Sequence, residues 1–167
     1  MKRIGILGDI GSGKSFIANC FGYPVFNADQ EVERIYKNNR IVFKKLKKRL
    51  PFYFSSFPIK KIEVIKAILA NKNNLEKIIS IIHLEVRKKL QIFLKKNRLK
   101  KIVILDIPLL LENRIYKKND ILVFVDSNKS EVLKRLKKRK NFNNQILRNF
   151  KKIQLPLDRK KKNQISL

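Results

Sequence analysis

Gly8-Asp9-Ile10-Gly11-Ser12-Gly13-Lys14-Ser15 matches the pattern G-x-x-x-x-G-K-[ST] at every fixed position. The flanks have the character this pattern needs. Arg3-Ile4-Gly5-Ile6-Leu7 is a short apolar run closed by glycine, which suits a buried strand. Ser15 to Phe21 keeps Ile17, Ala18 and Phe21 at helical spacing, and Gly22 with Pro24 makes a stop signal. Between a strand and a helix, such a loop turns consecutive backbone N–H groups inward around a phosphate, and the positive end of the helix aims at the same anion. Gly8, Gly11, Ser12, Gly13, Lys14, Ser15 and the N–H of Phe16 are therefore the candidate nucleotide contacts. Lys14 is expected to reach the β- and γ-phosphates and Ser15 to place its hydroxyl on Mg²⁺. A glycine-rich turn can match by chance, but the strand before and the helix after argue for a phosphate loop. The loop fixes a nucleotide such as ATP without yet fixing a reaction.

Working outward, Pro24 to Asp29 reads as a second strand ending at an acidic tip, followed by a helix from about Gln30 to Lys37. The middle, about 40–99, contains no glycine and reads as helical, with a Phe- and Ser-rich break between Pro51 and Pro58. Asn74 is the expected N-cap of a long helix whose apolar stripe is Leu75, Ile79, Ile82, Val86, Leu90 and Phe93. Ile102 to Asp106 and Ile121 to Asp126 are continuous apolar runs, each ending in aspartate, as parallel strands covered by helices require. Asn128 with Glu131 then opens a basic helix in capping-box style. No repeat is present, and the alternation of strands and helices is that of an α/β sheet.

The chain has 167 residues, 44% of them hydrophobic, enough for a folded core, with a formal charge of +28. That charge suggests nucleic acid, but Lys (30), Ile (23) and Asn (16) together make up 69 residues. All three have AT-rich codons, and a nucleic-acid surface gives no reason to enrich Ile and Asn. The lysines are spread from Lys2 to Lys162, so no specific nucleic-acid partner is expected. The charge can still attract a polyanionic substrate. No apolar run approaches the ~20 residues of a membrane helix. The lone Cys20, placed beside Ile17 and Phe21, is expected to fill core space in a reducing compartment. These features together point to a cytoplasmic protein.

Several side chains have two readings each. Asp29, at a strand end, suits a group that accepts a proton from an attacking hydroxyl, and equally an N-cap. Asp106 suits Mg²⁺ coordination, and equally a turn residue before Pro108. Asp126 reads as a turn and cap residue. His83, the only histidine, has no Cys or His partner for a metal and reads as half-buried. Arg135 and Arg139 share a helix face, which suits either a solvated helix or an arginine over the transferring phosphate.

The chain resembles the dephospho-coenzyme A kinase family. The loop and Val25-Phe26-Asn27-Ala28-Asp29 are similar to the family's G-G-I-G-S-G-K-S and I-D-A-D. Ile82-His83-Leu84-Glu85-Val86-Arg87 resembles I-H-P-x-V-R, and Asp106-Ile107-Pro108-Leu109-Leu110-Leu111-Glu112 resembles D-I-P-L-L-F-E. Gln154-Leu155-Pro156-Leu157-Asp158-Arg159-Lys160 is similar to Q-x-P-L-x-x-K. The resemblance implies a three-layer α/β P-loop kinase fold, a single domain over 1–167. It carries a helical substrate-binding insert at about 40–99 and a lid at about 135–149. The implied reaction is ATP-dependent phosphorylation of the ribose 3′-hydroxyl of dephospho-coenzyme A. Asp29, Lys14 and Arg139 are then catalytic, with Arg135 a rival to Arg139. Asp29, His83 and Arg87 contact the acceptor, and Ser15 and Asp106 hold Mg²⁺. The sequence departs from the family pattern at Asp9, where the loop has glycine, at Asn27, where the strand end has aspartate, and at Leu84, where proline follows the histidine. Lys161 to Leu167 offers no recognisable equivalent of the family's final edge strand, so that strand is expected to be missing. The alternatives are another small-molecule or nucleotide P-loop kinase, or a C-terminally truncated, weakly active or inactive homologue with non-specific nucleic-acid affinity.

Overall fold

The computed structural model describes residues 1–113, 115–138, 143–156 and 158–159. Strands and helices follow in the order β1 (Lys2–Gly8), α1 (Lys14–Cys20), β2 (Val25–Asn27), α2 (Ala28–Asn38), α3 (Arg40–Arg49), α4 (Lys61–Ala70), α5 (Lys72–Lys96), β3 (Ile102–Asp106), β4 (Ile121–Val125), α6 (Lys129–Lys137) and α7 (Asn144–Ile153). The chain divides into two units, one comprising Met1–Ala28 with Leu94–Leu167 and the other Asp29–Phe93.

In the first unit the strands pair in the order β2-β3-β1-β4, all parallel. Ile4 lies opposite Ile104 on one side and Ile121 on the other, and Asn27 lies opposite Asp106. Ile4, Ile6, Ala18 and Ile104 form a buried cluster, with Phe21, Val25, Ile102, Ile121, Val123 and Val125 packed against it. Ile6 and Leu105 are completely buried, and burial of such a side chain contributes about 1.5–3 kcal/mol. The apolar character of these strands on both faces is what parallel pairing needs.

One charge enters this core. Arg3, on β1, donates through Nη2 to Asp120 Oδ2 at 2.7 Å and to the Ile115 carbonyl at 3.0 Å. Asp120 also accepts from the Lys117 N–H at 2.8 Å, so the pair ties β1 to the loop that leads into β4. Cys20 departs from expectation: it is exposed. Helix α1 is only two turns long and buries Ala18 rather than its last residue.

The second unit holds α2, α3, α4 and most of α5. The long amphipathic helix is present, but its buried stripe runs through Leu75, Ile78, Ile82, Val86 and Leu90, with Ile79 only half-buried. Asn74 is not its cap. It lies within α5, buried, and its Nδ2 donates to the Ala67 carbonyl of α4 at 2.9 Å. Asn71 does the capping, accepting from the Asn73 N–H at 2.9 Å. The break between α3 and α4 is held by Glu63. Its carboxylate accepts from the Ser55 N–H at 3.0 Å, the Ser55 hydroxyl at 2.9 Å and the Lys60 N–H at 2.9 Å. Burial pushes this carboxyl up, but the hydrogen bonds from Ser55, Lys60 and Ser56 outweigh it and leave it below its ordinary value.

Helix α2 starts at Ala28, earlier than expected, so Asp29 sits inside its first turn rather than at its cap. Asn128 caps α6, accepting from the Ser130 N–H at 3.0 Å, while Glu131 turns to Lys134 at 3.1 Å instead of reciprocating. Lys161 to Leu167, where no equivalent of the family's final edge strand is expected, lie outside the described residues, as does Arg139 in the expected lid.

Candidate active site

Because the four described strands are parallel, their carboxyl ends share one edge of the sheet. From β1 the chain leaves to β2 and β3 on one side and to β4 on the other. Open α/β sheets bind ligands at the crevice such a reversal creates. The glycine loop springs from that point. Gly8 has φ +149°, and a Cβ there would lie 2.7 Å from both the Val125 carbonyl oxygen and Ser12 Oγ. No other residue fits, so the chain can leave β1 against β4 only through glycine. Gly13, at φ +97°, turns the loop into α1.

The rest of the loop is braced by residues far away in sequence. The Ser12 carbonyl accepts from Ser127 Oγ at 2.7 Å and from Arg135 Nη1 at 3.4 Å. Its own hydroxyl is buried with no partner among the described residues, a cost of about 1–3 kcal/mol that a phosphate oxygen could relieve. Lys14 is buried, and its ammonium donates to the Asp9 carbonyl at 2.6 Å and the Gly8 carbonyl at 3.4 Å. It therefore arches over its own loop, the placement a phosphate-binding lysine needs. The unusual Asp9 side chain is tied down, with Oδ1 accepting from the Ile10 N–H at 2.7 Å and Oδ2 lying 3.8 Å from Lys151 Nζ.

Beside the lysine lies an oxygen-rich corner. Asn27 Nδ2 donates to Asp106 Oδ2 at 2.6 Å and reaches Ser15 Oγ at 3.4 Å. Burial raises the Asp106 carboxyl above its ordinary value, while a hydrogen bond with Ser15 and the charge of Lys14 pull the other way. Asp106 is thus buried at the end of β3, beside Asn27 and within reach of the Lys14 charge. No group of three or more His, Cys, Asp or Glu side chains suited to a metal occurs among the described residues. Two hard oxygens, Ser15 Oγ and the Asp106 carboxylate, nevertheless fit Mg²⁺, which usually takes one or two protein ligands and completes its shell with phosphate and water.

Other expected site residues lie elsewhere in the fold. Asp29 is exposed, two residues beyond the end of β2, and opens the second unit. In that unit His83 is half-buried and Arg87 exposed, one turn apart on α5. Phe16 is exposed on the first turn of α1. Two contributors were not legible as such. Ser127 looks like a turn residue, and Asn27 stands out in sequence only as a departure from a family pattern; the register that pairs Asn27 with Asp106 gives it a role.

A glycine loop at a sheet reversal, a lysine arched over it, and a hydroxyl beside a buried carboxylate define the class of P-loop phosphotransferases. The family model described as CoaE, dephospho-CoA kinase, matches residues 2–165. Dephospho-CoA kinase of Wolbachia pipientis wMel is 34% identical over 164 residues, spanning 95% of this chain and 84% of that protein. The crystal structure of TT1252 from Thermus thermophilus matches with a TM-score of 0.75 and 26% identity, covering 98% of this chain and 85% of that one. Dephospho-CoA kinase from Campylobacter jejuni shares the fold at a TM-score of 0.62 and 21% identity, covering 99% and 86%. The chain belongs to the dephospho-CoA kinase family, transferases that phosphorylate dephospho-CoA at the expense of ATP. No helix among the described residues is long and apolar enough to cross a membrane.

Proposed function

We propose that this chain, as a cytoplasmic enzyme, moves the γ-phosphoryl group of ATP to the ribose 3′-hydroxyl of dephospho-CoA, with its own residues in the following roles. The observation that carries the reading is the gathering of Lys14, Ser15 and Asp106 at the carboxyl edge of the sheet. The loop N–H groups and Lys14 hold the β- and γ-phosphates in place, and positioning with charge stabilisation is most of what phosphoryl transfer asks of a protein. Ser15 and Asp106 would hold Mg²⁺, which neutralises phosphate charge. Asp29 orients the acceptor hydroxyl and takes its proton. Its place in the first turn of α2, after a strand that ends at the same edge, supports that role. His83 and Arg87 hold the acceptor, whose phosphates suit a guanidinium. A lid at about 135–149 supplies an arginine, and the approach of Arg135 to the Ser12 carbonyl supports an arginine at the phosphate corner.

Single-turnover phosphorylation of dephospho-CoA by an Asp29→Asn variant tests the base. The expected result is a rate lower by about 10²–10⁴-fold with acceptor affinity retained. A rate equal to that of the parent would remove Asp29 from the mechanism.

A further inference from the structure

Asn27 stands where β2 ends, and the β2–β3 register sets it directly opposite Asp106. Its amide nitrogen has two hydrogens. The nitrogen lies 2.6 Å from Asp106 Oδ2 and 3.4 Å from Ser15 Oγ. These three side chains come from β2, α1 and β3 and meet at the Asn27 amide, the neutral donor. The charge of Lys14 also acts on Asp106, but the amide is what ties the two oxygens to one another. A buried carboxylate at a strand end can rotate about χ2, and a serine hydroxyl on an exposed helix start has three rotamers open to it.

We infer that Asn27 is a positioning residue for the divalent cation that accompanies the nucleotide, fixing the Ser15 hydroxyl and the Asp106 carboxylate in one arrangement before the cation arrives. The inference rests on the assignment of Ser15 and Asp106 made above. Partners that orient metal ligands typically matter by 10–100-fold in metal affinity or activity. In this chain the amide does so by donating to both oxygens, with two N–H hydrogens and no charge of its own.

Binding of Mn²⁺ to the ATP-loaded protein, followed by electron paramagnetic resonance, tests this role without relying on turnover. Asn27→Ala is expected to raise the half-saturating Mn²⁺ concentration roughly tenfold or more, with ATP binding in EDTA unchanged. In steady state the same variant should need more Mg²⁺ for half-maximal rate while approaching the parental rate at saturation. Asn27→Leu keeps the bulk and removes the donors without adding a charge. It is expected to raise the half-saturating Mn²⁺ concentration as Asn27→Ala does. A merely space-filling Asn27 would leave the Mn²⁺ curve of Asn27→Leu on that of the parent, which would overturn the inference even if Asn27→Ala failed to fold. A Mn²⁺ curve for Asn27→Ala superimposed on that of the parent would overturn it as well. If the parent itself bound ATP with no dependence on Mn²⁺, the assignment of Ser15 and Asp106 would fall, and the role of Asn27 with it.

Discussion

Replacing Asp120 by alanine should destabilise the protein severely, and the size of the effect follows from what Asp120 holds. Arg3 and Asp120 have side chains only 8% and 4% exposed, with 2.7 Å between Nη2 and Oδ2. Removing the carboxylate leaves a buried guanidinium with the Ile115 carbonyl as its remaining acceptor in this loop. An uncompensated buried charge of this kind costs about 3–5 kcal/mol. The Lys117 N–H loses its acceptor too, which adds about 1 kcal/mol. For a chain of this length each kcal/mol shifts the melting temperature by roughly 2–4 °C, so the expected fall is roughly 10–20 °C. Differential scanning calorimetry on the parent, Asp120→Ala and the double variant Arg3→Met/Asp120→Leu measures it. The double variant should recover most of the loss, since two matched apolar groups leave no charge unpaired. A single variant melting within about 3 °C of the parent would refute the account of Arg3 as a buried charge dependent on Asp120.

Further outcomes follow from other parts of the structure. Lys14→Ala should lower the transfer rate by at least about 10²-fold, the scale lost when a group stabilising developing charge is removed, while circular dichroism stays that of the parent; retained turnover would contradict the role of the loop. Glu63 has its folded-state pKa depressed, so its contribution is present above the unfolded carboxylate value and lost as pH falls through the lower folded value. Glu63→Gln should therefore melt below the parent at neutral pH, with the gap closing under acid; a gap constant with pH would show that its charge contributes nothing. Gly8→Ala should weaken ATP binding and stability together, because its Cβ would meet the Val125 carbonyl; unchanged ATP affinity by calorimetry would argue against the loop geometry.

Much of this was legible in the sequence where a local rule decides. The phosphate loop is a contiguous pattern, and β3 and β4 are unbroken apolar runs that fold as the strands they resemble. The long helix α5 carries a repeat long enough to fix its face. The misses share a cause. Asn74 has the chemistry of a cap and the position of one relative to the apolar stripe, but a carbonyl on α4 claims its amide. Cys20 has helical spacing with Ile17, yet the inward face of α1 runs through Lys14 and Ala18 towards Phe21, and a residue two places beyond Ala18 lies on the opposite side. The meeting of Asn27 with Asp106, 79 residues apart, is set by strand register, which neither segment encodes alone. For the same reason Ser127 could not be connected with Ser12 before the order β3-β1-β4 placed the end of β4 beside the loop.

The central claim concerns a phosphoryl group and one hydroxyl. Incubating the full chain with ATP, Mg²⁺ and dephospho-CoA beside a panel of nucleoside monophosphates, followed by mass spectrometry and phosphorus NMR of the products, addresses both. The account predicts dephospho-CoA gaining one phosphoryl group at the ribose 3′ position, and no such product from Lys14→Ala. Preferential phosphorylation of a nucleoside monophosphate, or no 3′-phosphorylated product at high enzyme concentration, would contradict it.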